Sequence, residues 1–319
     1  MTASSEGTAS NGSRRRVPDF FIVGNPKSGT TALYEMLDRH PQIYMPPLGS
    51  QFFAVEQKKN PGTLEEYLAL FEPALPEQRA GEISRGYFRS RTAAAAIAEL
   101  APGAQIIVVL REPASFLRSL HMELLQDHVE TERDFGKAIE REEAKRRAQV
   151  TPDTRVEKGL MYSPERVGYV EQLRRFHAVF PREQVLVLIY DDFRSDNEAT
   201  LRSVLRTLGV DHTVPLEVKD ANPTVGVRSA RMNELVRSVY MGHGPAARAA
   251  KGTIKTLTPQ RLRREGLGAF RRKVLYGKPL PVDEQVMLEL RRRSKPEVFA
   301  LSEYLDRDLV TLWGYDRID

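Results

Sequence analysis

The sequence predicts an α/β fold: a largely parallel central sheet flanked by helices, with a helical C-terminal region. Short apolar runs alternate with stretches of helical periodicity from Phe20 to Leu208, which is the mark of βα units. Two of these runs, "QIIVVL" at Gln105 to Leu110 and "VLVLIY" at Val185 to Tyr190, are continuously apolar, as strands covered on both faces must be. After Gly209 no clear strand pattern appears and the periodicity is helical.

Taken in order, residues 1–17 are small and polar with a run of arginines at Arg14 to Arg16, a composition that cannot bury enough to order itself and reads as a flexible tail. Arginines ahead of "FFIVG" have the outline of an export signal, but the apolar part stops at Gly24 and runs into a polar loop. Phe20 to Val23 is therefore read as the first strand. Leu33, Met36 and Leu37 recur at helical spacing within Thr30 to Arg39, and His40-Pro41 ends that helix. Strands follow at Ile43 to Met45 and Gly81 to Ser84, separated by a helix at Leu64 to Phe71. Helices are then predicted at Thr92 to Leu100, where Ala93 to Ala96 are strong helix formers, and at Pro113 to His128, Phe135 to Ala148, Pro164 to Phe180 and Glu198 to Leu208. The C-terminal region reads as helices near Ala230 to Tyr240, Asp283 to Arg293, Pro296 to Leu305 and Arg307 to Trp313. Residues 18–319 are expected to form one domain, with a basic lid-like or docking segment around 241–281; Arg248 to Lys278 holds ten Lys or Arg and one acid, Glu265.

Composition narrows the function classes. Apolar residues at 41% and charged residues at 29% are ordinary for a globular chain, and no apolar run approaches the length of a membrane span. The absence of cysteine excludes disulfides, thiol catalysis and thiolate metal sites. Without a leader signal, a cytoplasmic location is expected. A net charge of +5 favours anionic partners, and a membrane surface is among them, but no aromatic interleaving or nucleic-acid signature accompanies the basic segment.

The chemistry concentrates in "VGNPKSGTTAL", Val23 to Leu33. A strand feeding a glycine-bounded loop that opens a helix forms an anion site, because backbone N–H groups converge and the helix N-terminus adds partial positive charge. Ser28, Gly29, Thr30 and Thr31 supply this cradle. In a triphosphate-binding loop the lysine follows the second glycine and the next hydroxyl holds Mg²⁺. Here Thr30 follows Gly29 and the lysine comes early, at Lys27. The arrangement fits a 5′-phosphate group with one ammonium over its outward oxygen, with no provision for a metal-bound triphosphate and no metal expected.

With these residues the sequence resembles the sulfotransferases that use 3′-phosphoadenosine 5′-phosphosulfate (PAPS), whose fold is a P-loop-like α/β architecture. "VGNPKSGTTAL" is similar to the family's 5′-phosphosulfate loop. "IIVVLREPASFLRSLH" looks like its 3′-phosphate motif, an apolar strand ending in an arginine with a serine eight residues on. The resemblance implies that Arg111 and Ser119 bind the 3′-phosphate and that Lys27 is catalytic as well as nucleotide-binding. The planar fork of arginine suits a phosphate independently of any family. "FPREQVLVLIYDDF", "TLRSVLRTLGV" and "EYLDRDLVTLWGY" extend the resemblance over residues 18–316, with Trp313 and Tyr315 read as core. Arg228, in "NPTVGVRSAR", is a further candidate phosphate contact, because the family's region after the last strand closes over the nucleotide.

The resemblance fails at one element. Many relatives carry Lys-Glu-Pro-x-Phe-Phe, whose glutamate is the general base. Aligned on Phe52 and Phe53 of "PPLGSQFFA", the lysine and glutamate become Leu48 and Gly49. Glu82, in "GEISRGYF", is the replacement candidate; its alternative is a buried structural carboxylate paired with Arg85, Arg89 or Arg111. His40 reads as a helix cap and His121 as packing or a cleft residue. Tyr34, Phe52, Phe53, Tyr87 and Phe88 are read as either an acceptor cleft or core. The acceptor implied is a hydroxyl or amine of a small molecule, glycan or lipid. Two other readings stay open: a P-loop-type kinase with a displaced lysine, using the acids of "LIYDDF", and a non-catalytic nucleotide-binding relative.

Overall fold

Consecutive apolar residues need cover on both faces of a sheet, and the strands here receive it. The computed structural model describes residues 16–47, 49–54, 62–127, 129–148, 161–215, 226–227, 276–277, 281 and 283–319. Strands β1 (Phe20–Gly24), β2 (Ile43–Tyr44), β3 (Arg79–Ile83), β4 (Gln105–Leu110) and β5 (Val185–Ile189) form a sheet in the order β2-β3-β1-β4-β5. Every pairing is parallel, with Phe21 beside Glu82 on one side and Ile106 on the other.

Alternate residues of β1 and β4 enter two separate cores. Phe21, Val23, Ile106, Val108 and Leu110 face one core; Phe20, Ile22, Ile107 and Val109 face the other. Helix α1 (Thr30–Leu37) and helix α8 (Asn197–Thr207) cover the second face through Leu33, Met36, Leu37, Leu201, Val204 and Leu205. On the first face lie α2 (Leu64–Leu68), α3 (Ala93–Leu100), α4 (Pro113–Gln126), α5 (Phe135–Arg147) and α6 (Tyr169–His177). They are joined there by α9 (Glu284–Tyr304) and α10 (Leu309–Leu312) from the far end of the chain.

Several expectations change. Arg16 and Val17 are not tail: Arg16 pairs with Asp19 at 3.2 Å and donates to the Leu75 carbonyl at 3.0 Å, while Val17 packs on the core. The helix expected from Pro164 splits, because Gly168 separates a single turn at Pro164–Arg166 from α6. The fifth strand stops at Ile189, and a short helix α7 (Tyr190–Ser195) follows, with Asp191 and Asp192 in the first turn, where the helix dipole favours them. Two helices expected on either side of Pro296 are one. A proline inside a helix costs about 3 kcal/mol, and here burial of Met287, Leu290, Val298 and Leu301 along one face offsets it. A two-residue antiparallel pair, β6 (Gly226–Val227) with β7 (Tyr276–Gly277), stands where no strand was expected. The helix predicted near Ala230 to Tyr240 and most of the basic segment lie outside the described residues. Among the described residues no helix is long and apolar enough to cross a membrane.

Candidate functional site

The strand order sets where a ligand can sit. From β1 the chain runs to β2 and β3 on one side, then returns to β4 on the other, so the loops after β1 and β4 diverge and leave a crevice at their carboxyl ends. The residues singled out in the sequence fall on these loops.

The loop leaving β1 is held by its neighbours. Asn25 N donates to the Val109 carbonyl at 2.9 Å and Phe88 N to the Val23 carbonyl at 2.8 Å. Lys27 has φ 61° and Gly29 φ 84°, two left-handed residues that wrap the loop tightly. At Gly29 a side chain would also meet the Phe193 ring, 2.7 Å from a β-carbon. Ser28 and Thr30 are buried, and Lys27 and Thr31 are half-buried. No side chain caps the N-terminus of α1, so its first N–H groups keep their hydrogen-bonding capacity for an anion.

Arg111 touches this loop directly. Its Nη1 donates to the Lys27 carbonyl at 2.8 Å, and its guanidinium lies 4.6 Å from the centre of the Tyr190 ring. Tyr169 fixes the Arg111 backbone with a 3.0 Å hydrogen bond to its carbonyl. Burial lowers the guanidinium's pKa, against the opposing pull of Tyr190 and Asp191. Glu112 then caps α4 by accepting from Ala114 N and Ser115 N, with Pro113 opening the helix.

Beyond Arg111 is a cavity of about 210 Å³. Arg111, Ser115, Arg118 and Ser119 line it from the β4–α4 side, and Glu284, Met287 and Arg291 line it from α9. Arg111 and Ser119, which the resemblance pairs, therefore line one cavity. Ser115, one turn before Ser119 on α4, and Arg118 were not singled out in the sequence. Nor was Arg291, because three consecutive arginines on a distant helix carry no local sign of which one turns inward.

Glu82 sits apart from that cavity, 2% exposed, inside a cage of hydroxyls. Its Oε1 accepts from Ser50 at 2.5 Å, Ser84 at 2.7 Å and Tyr87 at 2.8 Å, and its Oε2 accepts from Tyr67 at 2.5 Å. Burial first, then the charge of Glu82, raises the pKa of both tyrosines, so they remain donors. Of the arginines expected as partners, Arg85 pairs with Glu123 at 3.0 Å and Arg111 is engaged as above. Ser50, half-buried, is the one member of the cage on the loop that carries Gly49. Gly49 itself is exposed at φ 80°, a backbone that disfavours the glutamate of the family element; Leu48 lies outside the described residues.

The remaining candidates resolve individually. Phe53, Tyr87 and Phe88 are core, and Phe52 stacks on Tyr67 at 4.6 Å. Tyr34 donates to the Pro46 carbonyl at 3.0 Å. His40 is not the cap expected of it, since Asp38 is the C-cap of α1; its ring joins Gln42 N at 3.1 Å to the Asp211 carbonyl at 2.7 Å. His121 is buried against Tyr162 at 2.8 Å. Asp191 accepts from Trp313 at 2.9 Å and Asp192 pairs with Arg307 at 2.6 Å, so both acids of "LIYDDF" fasten the C-terminal segment. Arg228 lies outside the described residues. Among the described residues no group of three or more His, Cys, Asp or Glu could hold a metal ion.

Comparison with known proteins extends this picture. The model of the Sulfotransferase family matches residues 18–85 and 87–214. Heparan sulfate glucosamine 3-O-sulfotransferase 5 of Homo sapiens is 24% identical over 229 residues, covering 72% of this chain and 64% of the relative. Bifunctional heparan sulfate N-deacetylase/N-sulfotransferase 4 of Mus musculus is 27% identical over 202 residues, covering 61% of this chain and 22% of the relative. The chain thus spans less than two thirds of the length of either. A sulfotransferase structure from Alicyclobacillus acidocaldarius superposes with a TM-score of 0.66 at 23% identity, over 93% of this chain and 98% of that one, which shows the shared fold.

Proposed function

The chain belongs to the sulfotransferase family, and from that membership we propose that it moves a sulfuryl group from PAPS to an acceptor hydroxyl or amine. The observation that carries the reading is the contact between Arg111 and the Lys27 carbonyl, which joins the loop after β1 to the end of β4 at the switch point of the sheet.

The residues present fit the nucleotide. The uncapped start of α1 with Ser28, Gly29, Thr30 and Thr31 would hold the 5′-phosphate, and Arg111 and Ser119 the 3′-phosphate. Bound there, the co-substrate supplies the sulfuryl group. Lys27 presents an ammonium to the negative charge that grows on the departing oxygen as the sulfur–oxygen bond breaks. The proton of the acceptor must leave as its bond to sulfur forms. Glu82 receives it through Ser50: the Ser50 hydroxyl passes its own proton to Glu82 Oε1 and takes the acceptor's in exchange. The route runs through Ser50, because Glu82 is 2% exposed and Ser50 is the one hydroxyl of its cage that is not itself buried.

The named relatives act on glucosamine oxygen and on nitrogen of heparan sulfate, which favours a glycan as the acceptor class here. The triphosphate reading loses its carboxylates to Trp313 and Arg307.

The test is thermal unfolding of the full chain with adenosine 3′,5′-bisphosphate and, separately, with ATP and Mg²⁺. A ligand at ~100 times its Kd adds about 2.7 kcal/mol if it binds only the folded state. A shift with the bisphosphate alone is expected; a shift confined to ATP with Mg²⁺ would overturn the reading.

A further inference from the structure

We infer that Arg291, on α9, is a second arginine of the 3′-phosphate subsite, so that the C-terminal helix is part of the nucleotide site. The inference rests on the nucleotide reading above and adds a residue that neither the strand-end arginine nor the loop announces.

Arg291 lines the same cavity as Arg111 and Ser119. Its Nε is buried and makes no hydrogen bond among the described residues. The nearest acid is Glu112, whose Oε1 lies 3.6 Å away, an ion pair too long for a hydrogen bond. Glu112 is also already committed: Oε1 accepts from Ala114 N at 3.1 Å and Tyr315 OH at 2.6 Å, and Oε2 accepts from Ser115 N at 2.7 Å. Glu112 therefore holds the positive charge of Arg291 in place without satisfying its donor.

A buried donor left unpaired costs free energy, and a guanidinium finds its best acceptors in the fork of a carboxylate or phosphate. Arg111 alone is poorly placed to saturate a phosphate dianion, because one nitrogen is committed to the Lys27 carbonyl and its plane lies against Tyr190. A second guanidinium from the opposite wall supplies the donors that Arg111 has spent.

Helix geometry keeps the local acid away from that end. Glu284, Met287 and Arg291 share one face of α9, and at 1.5 Å per residue Glu284 stands about 10 Å along the axis from Arg291. Met287 lies between them. The cavity is thus lined by three arginines, Arg111, Arg118 and Arg291, against the one carboxylate of Glu284, and a phosphate monoester belongs beside Arg111 and Arg291.

The experiment is calorimetric titration of the full chain with adenosine 3′,5′-bisphosphate and with adenosine 5′-monophosphate, for wild type, Arg291→Gln and Arg291→Lys. Arg291→Gln should weaken the bisphosphate about tenfold or more, a loss typical of one charge-assisted contact, and leave the monophosphate within about twofold. Arg291→Lys, which keeps charge and packing, should fall between the two and carries the test if Arg291→Gln does not fold. In an Arg111→Ala background the Arg291→Gln loss should shrink, because two residues holding one phosphate are coupled. Equal weakening of both nucleotides, or none, with wild type preferring the bisphosphate, would overturn this assignment alone. Wild type binding both nucleotides equally would overturn the 3′-phosphate reading and the assignment with it.

Discussion

Lys27 is the residue at which the chemistry departs most from a triphosphate-binding loop. Its left-handed backbone holds it on the outer turn, beside the carbonyl that Arg111 grips. Lys27→Ala should lower turnover by about a hundredfold or more, the scale of losing one preorganised charge at a developing oxyanion, while nucleotide binding weakens but stays measurable. A turnover within about threefold of wild type would remove the catalytic role. Glu82 and Ser50 form the second residue-scale case. If Ser50 relays the proton, Ser50→Ala and Glu82→Gln should each slow turnover by about 10²-fold or more with nucleotide affinity unchanged. Full activity in Ser50→Ala with an inactive Glu82→Gln would mean a different path to the carboxylate. Full activity in both would leave Glu82 as the anchor of the Ser50 loop. Lys27, Arg111 and Ser119 were legible because each lies within a short motif. The cage around Glu82 was not, because its donors come from Ser50, Tyr67, Ser84 and Tyr87, three separate stretches of chain.

At the scale of elements, the uncapped start of α1 is the proposed anion site, and Gly29 sets its geometry. Gly29→Ala meets two penalties. A left-handed backbone costs a residue with a β-carbon roughly 1–2 kcal/mol, and the new carbon meets the Phe193 ring. Gly49 is a matched control, with φ 80° and nothing within 4 Å of its β-carbon position. Denaturant unfolding should show Gly29→Ala losing at least about 2 kcal/mol and Gly49→Ala only the backbone share. Equal losses would mean that the Phe193 ring yields and the packing of α1 on α7 does not fix the loop. Element boundaries were readable where an apolar run is cut off by a glycine or a charge, as at Gly24 ending β1 and Arg111 after β4. They were misread at Pro296, where burial on one face outweighs a local helix breaker, and at Tyr190, where an apolar run continues past the strand.

At the scale of the molecule, two histidines kept neutral by the fold link stability to pH. Burial lowers the pKa of His121 and His177 from the ordinary 6.5. Below pH 6.5 the unfolded chain takes up protons that the folded histidines refuse. Their contribution is therefore complete above that pH and is lost as pH falls toward the folded values. Glu142 and Glu297, raised mainly by burial, act in the opposite sense at lower pH. The difference between wild type and His121→Gln isolates one histidine: wild type should lose stability more steeply between about pH 6.5 and 5. Parallel curves would mean that His121 takes up its proton in the fold as readily as in the unfolded chain. The same scale governs the C-terminal segment, where Trp313 binds Asp191, Arg307 binds Asp192 and Tyr315 binds Glu112.

The sequence by itself determined the parallel α/β architecture, the glycine-bounded loop after β1 and the arginine and serine after β4. Each depends on patterns a few residues long: alternating periodicities, a glycine-bounded turn, a strand-end arginine. Only the tertiary structure decided that Arg291 lines the same cavity as Arg111, that Glu82 lies in a cage of hydroxyls that includes Ser50, and that the acids after β5 clasp the C-terminal segment. Those partners lie far apart in the chain. Their meeting follows from packing α9 and the C-terminal turn onto the same core as β1 and β4, which no local pattern encodes.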